Sequence, residues 1–174
     1  MLIPKIEPSK NGVIVGGTVN SLLTLVKSLS RSAHKINIVT SVPSKKLSIF
    51  KRVCPKHIGW QIIKNDHPPQ TAMFGIVFLV KSIYYALKQR SQNISIVHGH
   101  SGYSIYSFVT YLYSVITGSA SIHSIYCPLM QNATVDNKIN LVLKSKFSVL
   151  FLKKLDYIIA MSNNIAQSLI EAGI

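Results

Sequence analysis

The chain has 174 residues, 48% of them hydrophobic and 14% charged, which is enough apolar sequence for the core of one domain and excludes a disordered segment. Nineteen Lys and Arg stand against five Asp and Glu, a net charge of +14. This balance favours an anionic partner such as a sugar nucleotide, an anionic lipid or a nucleic acid; the alternative is simply a soluble basic surface.

Two features of the sequence, its longest apolar run and its cysteines, indicate where in the cell the protein is located. The longest apolar run, Ala72–Val80, is too short to span a bilayer, which needs about 20 residues, so we expect any membrane contact to be peripheral. Cys54 and Cys127 lie far apart in the sequence, without CxxC or zinc spacing, and fit free thiols in a reducing compartment. The chain is therefore expected to be cytoplasmic.

Strand and helix patterns alternate along the chain. Predicted strands occupy Leu2–Ile6, Ile36–Thr40, Ile58–Ile62, Ile94–His98, Ala120–Tyr126 and Tyr157–Met161. Predicted helices occupy Val19–Leu29 with Thr18 as N-cap, Phe74–Lys88, Tyr103–Thr117 with Gly118 as C-cap, Asn137–Leu155, and a last helix from the cap Ser162 to Gly173. This alternation predicts a Rossmann-like α/β fold, with a parallel sheet covered by helices on both faces.

Ligands of such sheets bind beyond the carboxyl ends of the strands. The segments expected to meet a ligand are therefore Glu7–Gly17, Thr40–Pro43, His98–Gly102, Tyr126–Gln131 and Ser162.

The first candidate site is Gly16-Gly17-Thr18, at the start of the first predicted helix. Two glycines let the backbone approach a ligand closely, and the free N–H groups of a helix start favour an anion. The alternative is a tight turn that needs glycine for its dihedral angles. The segment matches neither GxGxxG nor GxxxxGK[ST], so a dinucleotide site or a P-loop has no support.

The second candidate site is His98-Gly99-His100-Ser101, at a predicted strand end. Residues i and i+2 of an extended backbone point to the same side, so the two imidazoles could bind a metal, act as a base or hydrogen-bond a sugar. A metal would need a third ligand, and the nearest candidate, His123, lies in the middle of a predicted strand. Substrate contact is therefore favoured over a metal, the alternative being a structural histidine.

Two more polar residues follow predicted strands. Tyr126 could offer its ring and its hydroxyl group to a sugar or a nucleobase. Nothing near the neighbouring Cys127 forms a Cys/His pair in sequence, so it is interpreted as structural and not as a nucleophile. Ser162 is predicted to cap the last helix and to lie where an anion could bind.

Two predicted helices, Phe74–Leu87 and Tyr103–Thr117, are strongly apolar and rich in tyrosine. Such a helix can face a membrane, but its apolar residues more often pack in the core.

Taken in order, several segments resemble the N-terminal domain of the family 4 glycosyltransferases, retaining enzymes of the GT-B fold. The matching segments are Gly16–Thr18, Ala33–Thr40, Ile96–Ser101, Gly118 with the strand after it, Leu155–Ser162 and Glu171–Ile174. The resemblance extends over nearly the whole chain. Two departures are Ala33, where the family usually has glycine, and Tyr126, where many members have histidine.

The resemblance implies a nucleotide-sugar donor held between two Rossmann-like domains. Residues 1–174 would be the acceptor-side domain, and the donor-binding C-terminal domain would be absent from this chain, which alone would be inactive. Gly16 and Gly17 would lie near the donor diphosphate, whereas His98 and His100 would line the cleft and Ser162 would lie near the interdomain edge.

The expected function is hexosyltransferase-like transfer of a sugar to a glycan or a lipid-linked acceptor, without a metal or other cofactor. Expected partners are a C-terminal GT-B domain in cis or in trans and an anionic membrane surface. No catalytic residue is assigned. One alternative is a non-catalytic basic module that binds an anion, although scattered lysines and no RNA-binding aromatic signature disfavour nucleic acid. Another is a subunit that lends its half of the cleft to a second chain.

Overall fold

The structure is a computed structural model that describes residues 1–6, 8, 17–31, 35–54, 56, 58–68, 71–101, 106–127 and 146–174. These residues fall into two units, Met1–Tyr85 and Ala86–Ile174. Each unit has three parallel strands and associated helices. The Rossmann-like α/β fold predicted from the sequence is therefore confirmed. No helix in these ranges is both long and apolar enough to cross a membrane.

The first unit contains strands in the order β3-β2-β1. Its elements are β1 (Leu2–Ile3), α1 (Gly17–Ser30), β2 (Asn37–Val42), α2 (Leu47–Val53), β3 (Gly59–Lys64) and the greater part of α3 (Ala72–Gln89). β2 pairs in parallel on both sides, with Val39 opposite Leu2 and Thr40 opposite Ile62. Such a central strand is buried on both faces, which suits β-branched residues. The core is formed by Ile3, Ile6, Val19, Leu22, Val26, Ile38, Val42, Phe50, Cys54 and Ile58.

The second unit contains strands in the order β4-β5-β6. Its elements are the end of α3, β4 (Ile96–Ser101), α4 (Ser107–Thr117), β5 (Ala120–Ile125), α5, which is described at residues 146–152, β6 (Tyr157–Ala160) and α6 (Asn163–Glu171). A small core between β5, β6 and the last two helices contains Ile125, Leu152, Ile165 and Leu169.

Local hydrogen bonds fix the ends of these elements. Gly118 ends α4 with φ +65° and donates its N–H to the Ser114 carbonyl, so the predicted C-cap is confirmed. Ser162 caps α6 by accepting the Ile165 N–H at 3.3 Å, also as predicted. The Asp156 carboxylate accepts the backbone N–H and the hydroxyl of Ser121 at 2.8 and 2.7 Å, which holds the start of β6 beside β5.

Three predictions of elements need correction, and one helix was not predicted. β4 begins and ends later than predicted, so Gly99, His100 and Ser101 lie inside the strand and not in a loop after it. Thr40 lies inside β2 and is buried. α1 begins at Gly17, so Thr18 is part of its first turn and not the cap before it. The helix α2 was not predicted, because it is only seven residues long and buries a single residue, Phe50.

Some predicted features lie wholly or partly outside the described residues. They are the loops Glu7–Gly17 and Tyr126–Gln131, the residues Gly16, Ala33 and Gly102, and the beginnings of the helices Tyr103–Thr117 and Asn137–Leu155.

Candidate functional site

The candidate site lies on one face of the β4–β5 strand pair in the second unit. His98 pairs with Ile122, Gly99 with His123 and His100 with Ser124 in the parallel register. Because side chains alternate along each strand, His98, His100 and Ser124 share one face of the pair, whereas His123 lies on the other.

Four polar side chains meet on that face: His98, His100, Ser124 and Tyr126, which we call the His98–Tyr126 cluster. The His98 Nε2 atom lies 2.8 Å from the Ser124 hydroxyl. The His100 Nδ1 atom lies 3.1 Å from the Tyr126 hydroxyl. The centroids of the two imidazole rings are 3.9 Å apart at an interplanar angle of 35°, so the prediction that both point to the same side is confirmed.

Both histidines of the cluster are uncharged near neutral pH. Burial lowers the pKa of His98 to about 4. Burial, with a smaller contribution from the neighbouring His98, lowers the pKa of His100 to about 2. A general base works best with a pKa near the operating pH, so these rings suit hydrogen bonding better than proton transfer at neutral pH.

The donor and the acceptor in the contact between His100 and Tyr126 depend on the tautomer of the His100 ring. Burial raises the pKa of Tyr126, so its hydroxyl keeps its proton and can donate to the His100 Nδ1 atom. His100 then carries its own proton on Nε2. This Nε2 atom is buried and has no hydrogen-bond partner within the described part of the chain. Buried polar atoms are normally hydrogen-bonded, so His100 Nε2 is the atom of the cluster that still lacks a partner among the described residues.

The opposite face of the strand pair has a structural role. The His123 Nδ1 atom lies 2.9 Å from the Thr110 hydroxyl of α4, and its ring is almost fully buried. A Cβ atom at Gly99 would collide with both groups, so the glycine allows α4 and His123 to pack against β4. Burial lowers the pKa of His123 to about 3.

The three histidines do not converge on one point, because His123 faces away from His98 and His100. Across the residues that the structure describes, no three His, Cys, Asp or Glu side chains are grouped so that they could hold a metal ion.

The remaining predicted site residues belong to other elements or to the other face of β4. Ser101 is buried and belongs to the opposite face of β4. Ser162 is exposed after the end of β6, and its hydroxyl is engaged as the cap of α6. Gly17 and Thr18 form the first turn of α1 in the other unit. Of the predicted site residues, the structure therefore brings together His98, His100 and Tyr126.

Ser124 and the two cysteines complete this picture. Ser124 belongs to the cluster although the sequence did not single it out; the signal was its i, i+2 relation to Tyr126, which matches that of His98 to His100. Both cysteines are free thiols. Burial raises the pKa of Cys54 to about 12, so that thiol is unreactive near neutral pH.

Comparison with known proteins agrees with this architecture. The sequence model of Glycosyltransferase Family 4 matches residues 15–174. The crystal structure of HepE (Alr3699) from Anabaena, in complex with UDP and glucose, resembles the chain with a TM-score of 0.56 and 13% identity. The similarity covers 99% of this chain and 41% of that protein, so the chain spans less than half of its length. No curated protein matches the sequence.

Proposed function

Because the chain belongs to glycosyltransferase family 4, we propose that it is the N-terminal, acceptor-side half of a GT-B enzyme that transfers a hexose from a nucleotide sugar to a glycan or lipid-linked acceptor. The bond between the anomeric carbon and the donor diphosphate breaks, and a bond to the acceptor oxygen forms. The nucleoside diphosphate leaves, and the proton of the acceptor hydroxyl passes to an oxygen of the departing phosphate. The fold likeness to HepE, which was crystallised with UDP and glucose, supports this proposal.

The observation that carries the proposal is the His98–Tyr126 cluster at the carboxyl end of parallel strands, where ligands of such folds bind. Its groups are neutral and polar, which suits sugar hydroxyls that both donate and accept hydrogen bonds. In this proposal, His98 and His100 hydrogen-bond the acceptor sugar, and Tyr126 holds the His100 ring in one tautomer. Gly16, Gly17 and Thr18 approach the donor diphosphate, and Ser162 borders the substrate.

The rest of the enzyme would come from a donor-binding GT-B domain, in cis or in trans. That domain would grip the nucleotide and stabilise the leaving phosphates without a bound metal. A family member of this kind would act in the cytoplasm, where nucleotide sugars would be its substrates. A chain without that domain would be inactive alone.

The decisive experiment combines the chain with its donor-binding domain and measures nucleoside diphosphate release from UDP-, GDP- and ADP-sugars. Tyr126→Phe removes only the hydroxyl that hydrogen-bonds His100, so we expect kcat/KM to fall by up to about tenfold, the value of one hydrogen bond. His98→Asn should lower kcat/KM by at least as much, because it removes a ring that would contact the substrate.

His67→Asn provides the matched control, since His67 is an exposed histidine of the first unit. It should leave turnover unchanged. The proposal would be overturned if the combined domains showed no turnover and bound no sugar nucleotide or glycan. Tight, steeply salt-dependent binding of oligonucleotides in its place would favour the basic-module alternative, for which the net charge of +14 is the motivation.

A further inference from the structure

The helix α3 is apolar on two sides. Phe74, Phe78 and Ser82 form its buried row. A second row is exposed and includes Met73 (50% exposed), Ile76 (51%), Val80 (56%) and Tyr84 (56%). At 100° per residue these four side chains fall within an arc of about 80° and extend over about 16 Å along the helix axis. We call this row the α3 face.

An exposed row of this kind needs an explanation. A helix that is apolar all round is normally covered on all sides, and contiguous exposed apolar surface marks a site of interaction. The other strongly apolar helix, α4, behaves differently, because it buries Val109 and Tyr113 and has one exposed large hydrophobic residue, Val115. The sequence allowed two interpretations of both helices, packing in the core or facing a membrane. The exposed row therefore keeps the membrane-facing interpretation open for α3.

The charge of α3 and of the unit that contains it indicates what covers the α3 face. Lys81 is exposed at its edge, one turn before Tyr84. α3 contains no acidic residue, and none occurs in the sequence between Asp66 and Asp136. The first unit as a whole has twelve Lys and Arg residues against two acidic ones, Glu7 and Asp66. An apolar strip in such a basic setting is the combination that binds the surface of an anionic bilayer.

We propose that the α3 face, with Lys81 at its edge, docks the protein on an anionic lipid bilayer. The apolar side chains of Ile76 and Val80 enter the boundary between headgroups and acyl chains while α3 lies parallel to the surface. The Lys81 ammonium group stays at the level of the lipid phosphates. This proposal does not depend on sugar transfer, because it concerns a surface and not the His98–Tyr126 cluster.

Flotation of the full chain with lipid vesicles tests the proposal. We expect binding to vesicles that contain phosphatidylglycerol, weaker binding to pure phosphatidylcholine, and a loss of binding as salt is added. The double variant Ile76→Ser/Val80→Ser should lower the partition coefficient by about tenfold or more, because two half-exposed aliphatic groups no longer leave water. Lys81→Gln should lower it by about fivefold on the anionic vesicles alone.

Val115→Ser is the matched control, since Val115 is 59% exposed on α4. It should bind like the wild type. Equal binding of all variants, or no preference for anionic vesicles, would overturn the proposal. So would a chain that ignores vesicles and forms a dimer that Ile76→Ser/Val80→Ser dissociates, since the α3 face would then be a protein interface. Should the double variant fail to fold, as judged by circular dichroism, Lys81→Gln decides the matter alone.

Discussion

Gly99 shows how one residue sets the geometry around the candidate site. It separates His98 from His100 and lies where the Thr110 hydroxyl and the His123 ring press against β4. A methyl group in that position would force both groups to move. We expect Gly99→Ala to lower the free energy of unfolding by about 1–3 kcal/mol, the usual cost of overpacking. Urea unfolding at neutral pH measures the change, and an unchanged midpoint would mean that α4 can shift without cost.

The residues of the cluster were only partly predictable from the sequence. The i, i+2 spacing of His98 and His100 was sufficient to place both rings on one side, since it depends only on the local backbone. The contacts with Ser124 and Tyr126 depend on the register between two strands, which is set by packing of the whole strand pair. The same register turns His123 to the opposite face, a fact that no spacing within one strand could show.

At the level of elements, α3 offers a test of intrinsic helix stability. Gly75 lies near the first turn of this helix, and a Cβ atom built on it meets no other atom within 4 Å. Alanine at this position should therefore gain helix propensity without a steric penalty. We expect Gly75→Ala to raise the free energy of unfolding by about 0.5–1 kcal/mol in the same urea assay. A destabilised variant would show that Gly75 needs close backbone contact.

Prediction of the elements themselves succeeded where the periodicity was long. The apolar pattern of α3 and the β-branched strands β2, β5 and β6 gave the right type and nearly the right bounds. The boundary of β4 was misplaced because Gly99, His100 and Ser101 look like a loop in sequence. They stay in the strand because pairing with β5 satisfies the backbone up to Ser101. Tertiary pairing thus overrode local preference.

At the scale of the whole molecule, the buried histidines of β4 and β5 make the stability of the fold depend on pH. His98, His100 and His123 all have a folded-state pKa lowered by burial, to about 4, 2 and 3. In the unfolded chain a histidine has a pKa of about 6.5. Between these values the unfolded chain binds protons that the folded chain does not. The stability that these histidines contribute is therefore present above about pH 6.5 and is lost as the pH falls below it.

The variant His123→Gln tests this linkage without removing the side-chain partner of Thr110, because the amide can still hydrogen-bond to that hydroxyl. We expect the free energy of unfolding of the wild type to fall steeply from pH 6.5 to 4.5. Each neutral buried histidine contributes up to about 1.4 kcal/mol per pH unit to that slope. His123→Gln should remove one such contribution, whatever its stability at pH 7. If His123→Gln kept the wild-type slope, His123 would take up its proton in the folded protein as readily as in the unfolded chain. Its burial against α4 would then have to be less complete than the packing around Gly99 requires.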